Sequence, residues 1–148
     1  MFLANIVANN YPIVYVDESS FSAWAERKMK AWNVKNEPVI VHINNKQYFR
    51  TMFAGIGDCL DEPVFMKGKS TNSDDFGSFI EEVAKHIKIG SKKPVLIMDN
   101  ATAHTAKSNR NRLNDYFIPV YMPSHSSAFN SVERVWSISK RNFAILSL

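Results

Sequence analysis

Hydrophobic and polar positions alternate between two periods along this chain. Tyr11 to Val16 reads Tyr-Pro-Ile-Val-Tyr-Val, a short β-branched and aromatic run that stops at Asp17-Glu18-Ser19-Ser20. Such a run predicts a buried strand delivering acidic residues at its C-terminal end. Gln47 to Gly57 and Pro63 to Lys67 predict two more strands, set apart by Gly57-Asp58 and Asp61-Glu62. Together these three predict an antiparallel meander. The period then becomes helical, with Phe76, Phe79, Ile80, Val83, Ala84 and Ile87 on one face. Ser73 is the expected N-cap, Asp74 and Asp75 suit the first turn, Lys85 and Lys88 the end, and Gly90 lies beyond. Pro94 to Met98 predicts a fourth buried strand, ending in Asp99-Asn100. A basic, weakly amphipathic helix is expected over His104 to Leu113, a fifth strand over Tyr116 to Met122, and a last helix over Phe129 to Phe143. In that helix Phe129, Val132, Trp136 and Phe143 make the apolar stripe, while Glu133, Ser137 and Lys140 share another face. Three strands, then helix, strand, helix, strand, helix predict an α/β domain, a mixed sheet with helices on its faces.

Composition narrows the class. At 148 residues, 45% hydrophobic with ten Phe, five Tyr and three Trp, the chain has the material for one real core, which excludes wholesale disorder. Cys59 is the single cysteine, so an intrachain disulfide is excluded, in keeping with a reducing compartment. The strongest apolar stretches, Val95 to Met98 and Phe117 to Met122, fall far short of the roughly 18–20 residues of a bilayer span, and the first residues lack the pattern of a secretory signal. Neither a membrane partner nor secretion is expected. We read residues 1–148 as a single domain.

Charge adds a direction. The net charge is +4, but residues 26–50 and 104–142 each hold six basic and two acidic residues, leaving six basic and ten acidic residues elsewhere. A bipolar surface of this kind can offer a basic face to a polyanion, although solvated helix and loop faces give the same count. The first basic segment carries Lys28, Lys30 and Lys35 around Trp32, a combination suited to nucleic acid. The second carries Lys107, Arg110, Arg134 and Lys140, placed to neutralise backbone phosphates.

Two strands that end in Asp, followed by a helix with Glu on a face away from the core, form the constellation with chemistry in it. Mg²⁺ and Mn²⁺ take hard oxygen ligands and leave positions open for water and phosphate. Carboxylates from separate elements can hold two such ions about 3.5–4 Å apart, as in-line phosphoryl displacement requires. Any one of these residues taken alone reads equally as a turn Asp or an exposed helix Glu.

Three blocks carry a resemblance. They are Asp17-Glu18-Ser19-Ser20-Phe21, then Val95-Leu96-Ile97-Met98-Asp99-Asn100-Ala101-Thr102-Ala103-His104, then Pro119 to Lys140 with Tyr121-Met122-Pro123 and Asn130-Ser131-Val132-Glu133-Arg134-Val135-Trp136. They resemble the signature blocks of the DDE endonuclease domain of mariner-type transposases and related bacterial insertion-sequence transposases, over about Tyr11 to Phe143. The 34 positions from Asp99 to Glu133 resemble that family's short second spacing.

The resemblance implies an RNase H-like fold with a five-stranded mixed sheet, its first and fourth strands side by side. Asp17 would then lie beside Asp99, with Glu133 arriving from the last helix. It implies that Asp17, Asp99 and Glu133 bind two Mg²⁺ or Mn²⁺ ions for hydrolysis and strand transfer on duplex DNA at transposon ends and target, in a homodimeric assembly. Such a protein would work in the nucleus of a eukaryote or the nucleoid of a bacterium. Glu18, Asn100, His104 and Asn130 would orient the ligands; turn and capping roles compete for Glu18, Asn100 and Asn130, and a structural helix-start bond for His104.

Two departures stand out. The family's Pro-x-x-Asn-Pro-x-Glu is here Ser127-Ala128-Phe129-Asn130-Ser131-Val132-Glu133, so the Pro that would suit the helix's first turn is Ser131. The family's N-terminal helix-turn-helix region is expected to be absent from this sequence. A non-catalytic descendant keeping the fold as a binding module, and another RNase H-like hydrolase of RNA-containing duplexes, remain the alternatives.

Overall fold

The computed structural model describes residues 6, 8–22, 49–68, 70, 72–88, 90, 92–123, 126 and 130–146. Five strands, β1 (Ile13–Ser22), β2 (Phe49–Gly57), β3 (Val64–Gly68), β4 (Val95–Met98) and β5 (Ile118–Tyr121), form one sheet in the order β3-β2-β1-β4-β5. β1, β2 and β3 pair antiparallel, while β4 runs parallel to both β1 and β5. Four helices are described: α1 (Ser73–Lys85), the short α2 (Thr102–Thr105), α3 (Lys107–Tyr116) and α4 (Val132–Leu146). The mixed sheet with an antiparallel first half and β1 beside β4 is the architecture expected from sequence. Among the described residues no helix is long and apolar enough to cross a membrane.

The strand period assigns side chains to layers. On one face Val14 and Val16 of β1, Phe53 of β2, and Leu96 and Met98 of β4 pack against Phe76, Phe79, Ile80 and Val83 of α1 and Leu113 of α3. Phe53 and Phe79 stack with ring centroids 5.3 Å apart. Each such fully buried side chain contributes roughly 1.5–3 kcal/mol, so this layer anchors the domain. The other face has two patches. Phe21 and Ala54 meet Val132 and Trp136 of α4, and Val95 and Ile97 gather Ile6, Met122, Ile118 and Val120.

The last helix, expected over Phe129 to Phe143, runs over Val132–Leu146, and Phe129 lies outside the described residues. Four further boundaries differ from the sequence reading for a tertiary reason. β1 does not stop at Val16; β2 pairs with it from Val14↔Gly57 through Ser22↔Phe49, so the acidic and serine residues are carried inside a strand by their neighbour's backbone. α1 is capped by Asn72 rather than Ser73, because the Asn72 side chain accepts from the Asp75 N–H at 2.7 Å. The helix expected over His104 to Leu113 is two helices, broken where Ala106 takes ψ 137°. Tyr116 ends α3 instead of opening β5, the turn being closed by the Phe117 N–H to the Leu113 carbonyl.

α1 and α3 approach closely enough to need a glycine. A Cβ on Gly77 would lie 2.6 Å from Asn109 Oδ1 and 2.3 Å from Arg112 Nη1. Fully buried Asn109 uses that space to donate from Nδ2 to the carbonyls of Ser73 and Ala103, and its Oδ1 accepts from Arg112. Arg112 is in turn paired with Glu81 at 2.8 Å. These bonds pin α2 between α1 and α3.

Candidate active site

Parallel pairing of β1 with β4 sets Ile13, Val14 and Tyr15 opposite Val95, Leu96 and Ile97. Two residues further, this register brings Asp17 level with Asp99, just beyond the end of β4. β1 continues past that point on β2 alone. Its neighbouring acids therefore obey the two-residue alternation and point to opposite faces of the sheet.

Asp17 faces α4. Its Oδ2 accepts from Trp136 Nε1 at 3.1 Å, and Trp136 is held edge-on against Phe21. Burial, then the negative charges of Glu133 and Glu18, raise the Asp17 carboxyl to about 6. Glu133 stands exposed in the first turn of α4. That turn is fixed by buried Asn130, which donates from Nδ2 to the Val16 carbonyl at 3.1 Å and accepts the Val132 N–H on Oδ1 at 3.2 Å. Its backbone carbonyl takes the Glu133 N–H at 3.0 Å. One amide side chain thus caps the helix and ties it to the strand residue before Asp17.

Glu18 faces α1 and α2. There His104, 1% exposed, has the acceptor Glu18 Oε2 3.0 Å from Nε2 and the acceptor Asp99 Oδ1 2.8 Å from Nδ1. The ring lies against Phe76 at 4.1 Å between centroids. Burial favours the neutral imidazole, but the hydrogen bond and charge of Glu18, followed by Asp99, outweigh it and raise the His104 pKa above its ordinary value. With an acceptor at each nitrogen the charged form can donate both ways. The second Asp99 constraint is local: Oδ1 also takes the Ala101 N–H at 3.0 Å. Asn100 ties the ends of two strands, donating to the Met122 carbonyl at 3.0 Å.

The four acids expected from sequence thus gather at one edge of the sheet as two linked groups, Asp17 with Glu133 on one side and Glu18 with Asp99 through His104 on the other. Among the described residues no three His, Cys, Asp or Glu side chains close into a single metal cluster. The donors nevertheless suit a hard cation. All are carboxylates, and Glu133 and Glu18 add negative charge beside the partly buried Asp17 carboxyl.

Of the residues expected to contact DNA, Lys107, Arg110 and Arg134 are exposed on α3 and α4. Lys140 lies over the Phe21 ring, 5.9 Å from its centroid. Lys28, Lys30, Trp32 and Lys35 lie outside the described residues. Sequence reasoning assigned Trp136 to the core and stopped there; its indole also holds Asp17. The available signal was its position one turn after Glu133. Asn109, which positions α2 and hence His104, carried no sequence signal at all.

The family of DDE superfamily endonucleases accounts for residues 12–145, from before β1 to the penultimate residue of α4. This chain belongs to that family. As a DDE endonuclease domain it is similar in fold to solved Mos1 transposase structures. A Mos1 paired-end complex with left transposon end matches at TM-score 0.68 and 14% identity, over 95% of this chain and 45% of that one. A Mos1 mariner paired-end complex with Mn matches at 0.68 and 14%, over 96% and 46%. The catalytic domain of Mos1 mariner transposase matches at 0.64 and 13%, over 97% and 66%. The endonuclease domain therefore has the RNase H-like fold, and it spans less than half the length of the transposase chains in those two complexes. No curated protein matches it by sequence at a significant level.

The departure at Ser131 yields a testable outcome. Asn130 is the cap, so Ser131 occupies the first helical position, where a missing N–H does no harm and a fixed φ helps. Ser131→Pro is expected to stabilise the domain by about 0.4–1 kcal/mol, chiefly by restricting the unfolded chain. Urea unfolding would register it as a higher midpoint at unchanged slope; a lower midpoint would show that residue 131 does not start the helix.

Proposed function

We propose that this chain is the catalytic domain of a mariner-like DNA transposase, which cuts and rejoins phosphodiesters at transposon ends. Asp17, Asp99 and Glu133 would hold two Mg²⁺ or Mn²⁺ ions. The observation that carries the reading is the junction of β1, β4 and α4, where Asp17 is level with Asp99 and electrostatically joined to Glu133.

When bound, the ions would supply charge neutralisation at the phosphorus centre and an activated oxygen nucleophile. The chain's own residues do the positioning. Trp136 directs one Asp17 oxygen, Asn130 sets the start of the helix bearing Glu133, and His104 braces Asp99 against Glu18. The exposed Lys107, Arg110 and Arg134 would meet the phosphates of duplex DNA. A homodimer on paired ends is proposed by analogy with the family.

Calorimetric titration of Mn²⁺ into the wild-type chain and Asp99→Ala, with Mg²⁺ as competitor and with duplex DNA added in a second series, tests the site. Binding in the wild type and its loss in the variant are expected. Silence in both series would overturn the metal-dependent reading in favour of a non-catalytic module. Where metal does bind, cleavage of matched DNA and RNA–DNA duplexes separates a transposase domain from a hydrolase of hybrids.

A further inference from the structure

A cavity of about 170 Å³ opens between α3 and the edge strand β5, lined by Thr105, Arg110, Leu113, Asn114, Pro119 and Tyr121. Its walls follow from two periodicities. Along β5, Ile118 and Val120 turn to the patch around Val95 and Ile97, so Pro119 and Tyr121 face the other way, toward α3. On α3, Arg110, Leu113 and Asn114 fall at offsets of three and four and share the face that meets them.

The Thr105 hydroxyl is bonded to the Ala101 and Thr102 carbonyls, but the other polar groups of this cavity are uncommitted among the described residues. Arg112 pairs with Glu81, yet Arg110, two residues before it, has no acidic partner among the described residues. Tyr121 is 37% exposed, and its ring belongs to none of the core clusters. Asn114 accepts Lys93 on its backbone carbonyl, while its side-chain amide has no partner among the described residues. The location is equally telling. Tyr121 is the register partner of Met98, the residue before Asp99, and Thr105 follows His104. The cavity therefore flanks the acidic edge of the sheet.

We propose that this cavity is a subsite for one unpaired nucleotide of the DNA strand lying across the carboxylates, its base on Tyr121 and its phosphate on Arg110. The inference rests on the nucleic-acid reading of the site above. An aromatic face supplies stacking that any base can use, a guanidinium supplies phosphate pairing, and an amide offers both donor and acceptor to a base edge. The volume lies well below the roughly 300–1,000 Å³ of ordinary ligand pockets and suits a single base. A base inside a duplex cannot enter it, so the occupant is an overhanging or extruded nucleotide.

The test compares two probes bound by the full chain in EDTA at low salt: a blunt DNA duplex, and the same duplex with a one-nucleotide overhang of 2-aminopurine. Wild type is expected to bind the overhang about tenfold tighter and to quench its fluorescence. Tyr121→Leu should lose both the preference and the quenching while its blunt-duplex affinity and circular dichroism hold, and Tyr121→Phe should keep them. Equal affinity of wild type for the two probes, or a preference that survives Tyr121→Leu, would overturn the subsite and leave the DNA reading standing. Binding of neither probe would overturn both.

Discussion

At pH 7 in EDTA, Asp17→Asn is expected to melt about 3–6 °C above wild type, and with Mg²⁺ to lose about a thousandfold or more in DNA cleavage. The two effects have one origin. Asp17 is partly buried beside Glu133 and Glu18, which raises its carboxyl from 3.8 to about 6. A folded-state pKa above the unfolded value means that the native chain holds the proton more tightly. Stability from this group is thus fully present below about pH 3.8 and is lost as pH rises through about 6. Asparagine keeps an oxygen for Trp136 Nε1 and removes the charge. The shift alone corresponds to roughly 3 kcal/mol, and solvent at a partly exposed carboxylate reduces this to about 1–2 kcal/mol. Thermal scans at pH 4 and pH 7 make the check: the variant should gain at pH 7 and nearly coincide with wild type at pH 4. Equal gains at both would show that ionisation of Asp17 is not responsible. On the proposed function, strain of this sign would be the ordinary exchange of stability for activity.

Asn130→Ala is the second large effect, in the opposite direction. It removes the cap on the Val132 N–H and the bond to the Val16 carbonyl, both buried. A lost cap is worth about 0.5–2 kcal/mol, and a buried group left without a partner about 1–3 kcal/mol. A loss of about 2–3 kcal/mol is expected in urea or thermal unfolding. Asn130→Ser keeps a capping oxygen but cannot also reach Val16, so it should fall between wild type and Asn130→Ala. Cleavage should drop further than unfolding accounts for at a temperature where the variant is folded, because the first turn bearing Glu133 loses its tie to the strand bearing Asp17. Equal stability of the Ser and Ala variants would remove capping from the account.

Much of the fold was legible because its signals are local. The helical spacing of Phe76, Phe79, Ile80 and Val83 needs only the chain's own periodicity, and the core face of α1 is made of those residues. The apolar strand runs before Asp17 and Asp99 likewise announced themselves. Boundaries failed where a neighbour decides. Asp17-Glu18-Ser19-Ser20 has poor strand propensity, yet β2 supplies a backbone ladder along all of it. Ala106 breaks a helix that its own sequence does not interrupt, and Asn109 pins the two pieces from a distance.

The sequence by itself determined the α/β class, the five strands and their apolar faces, and which carboxylates follow an apolar strand run or open a helix, since each follows from composition and period within a short window. The tertiary structure alone decided which partner each carboxylate meets. β1 runs on beyond β4, so alternation sends Asp17 to Trp136 and Glu133 on one face and Glu18 on the other to His104, whose second nitrogen meets Asp99. Those partners lie 86 and 119 positions away along the chain for the two direct bonds, a separation over which no local pattern carries information. Only packing brings them together.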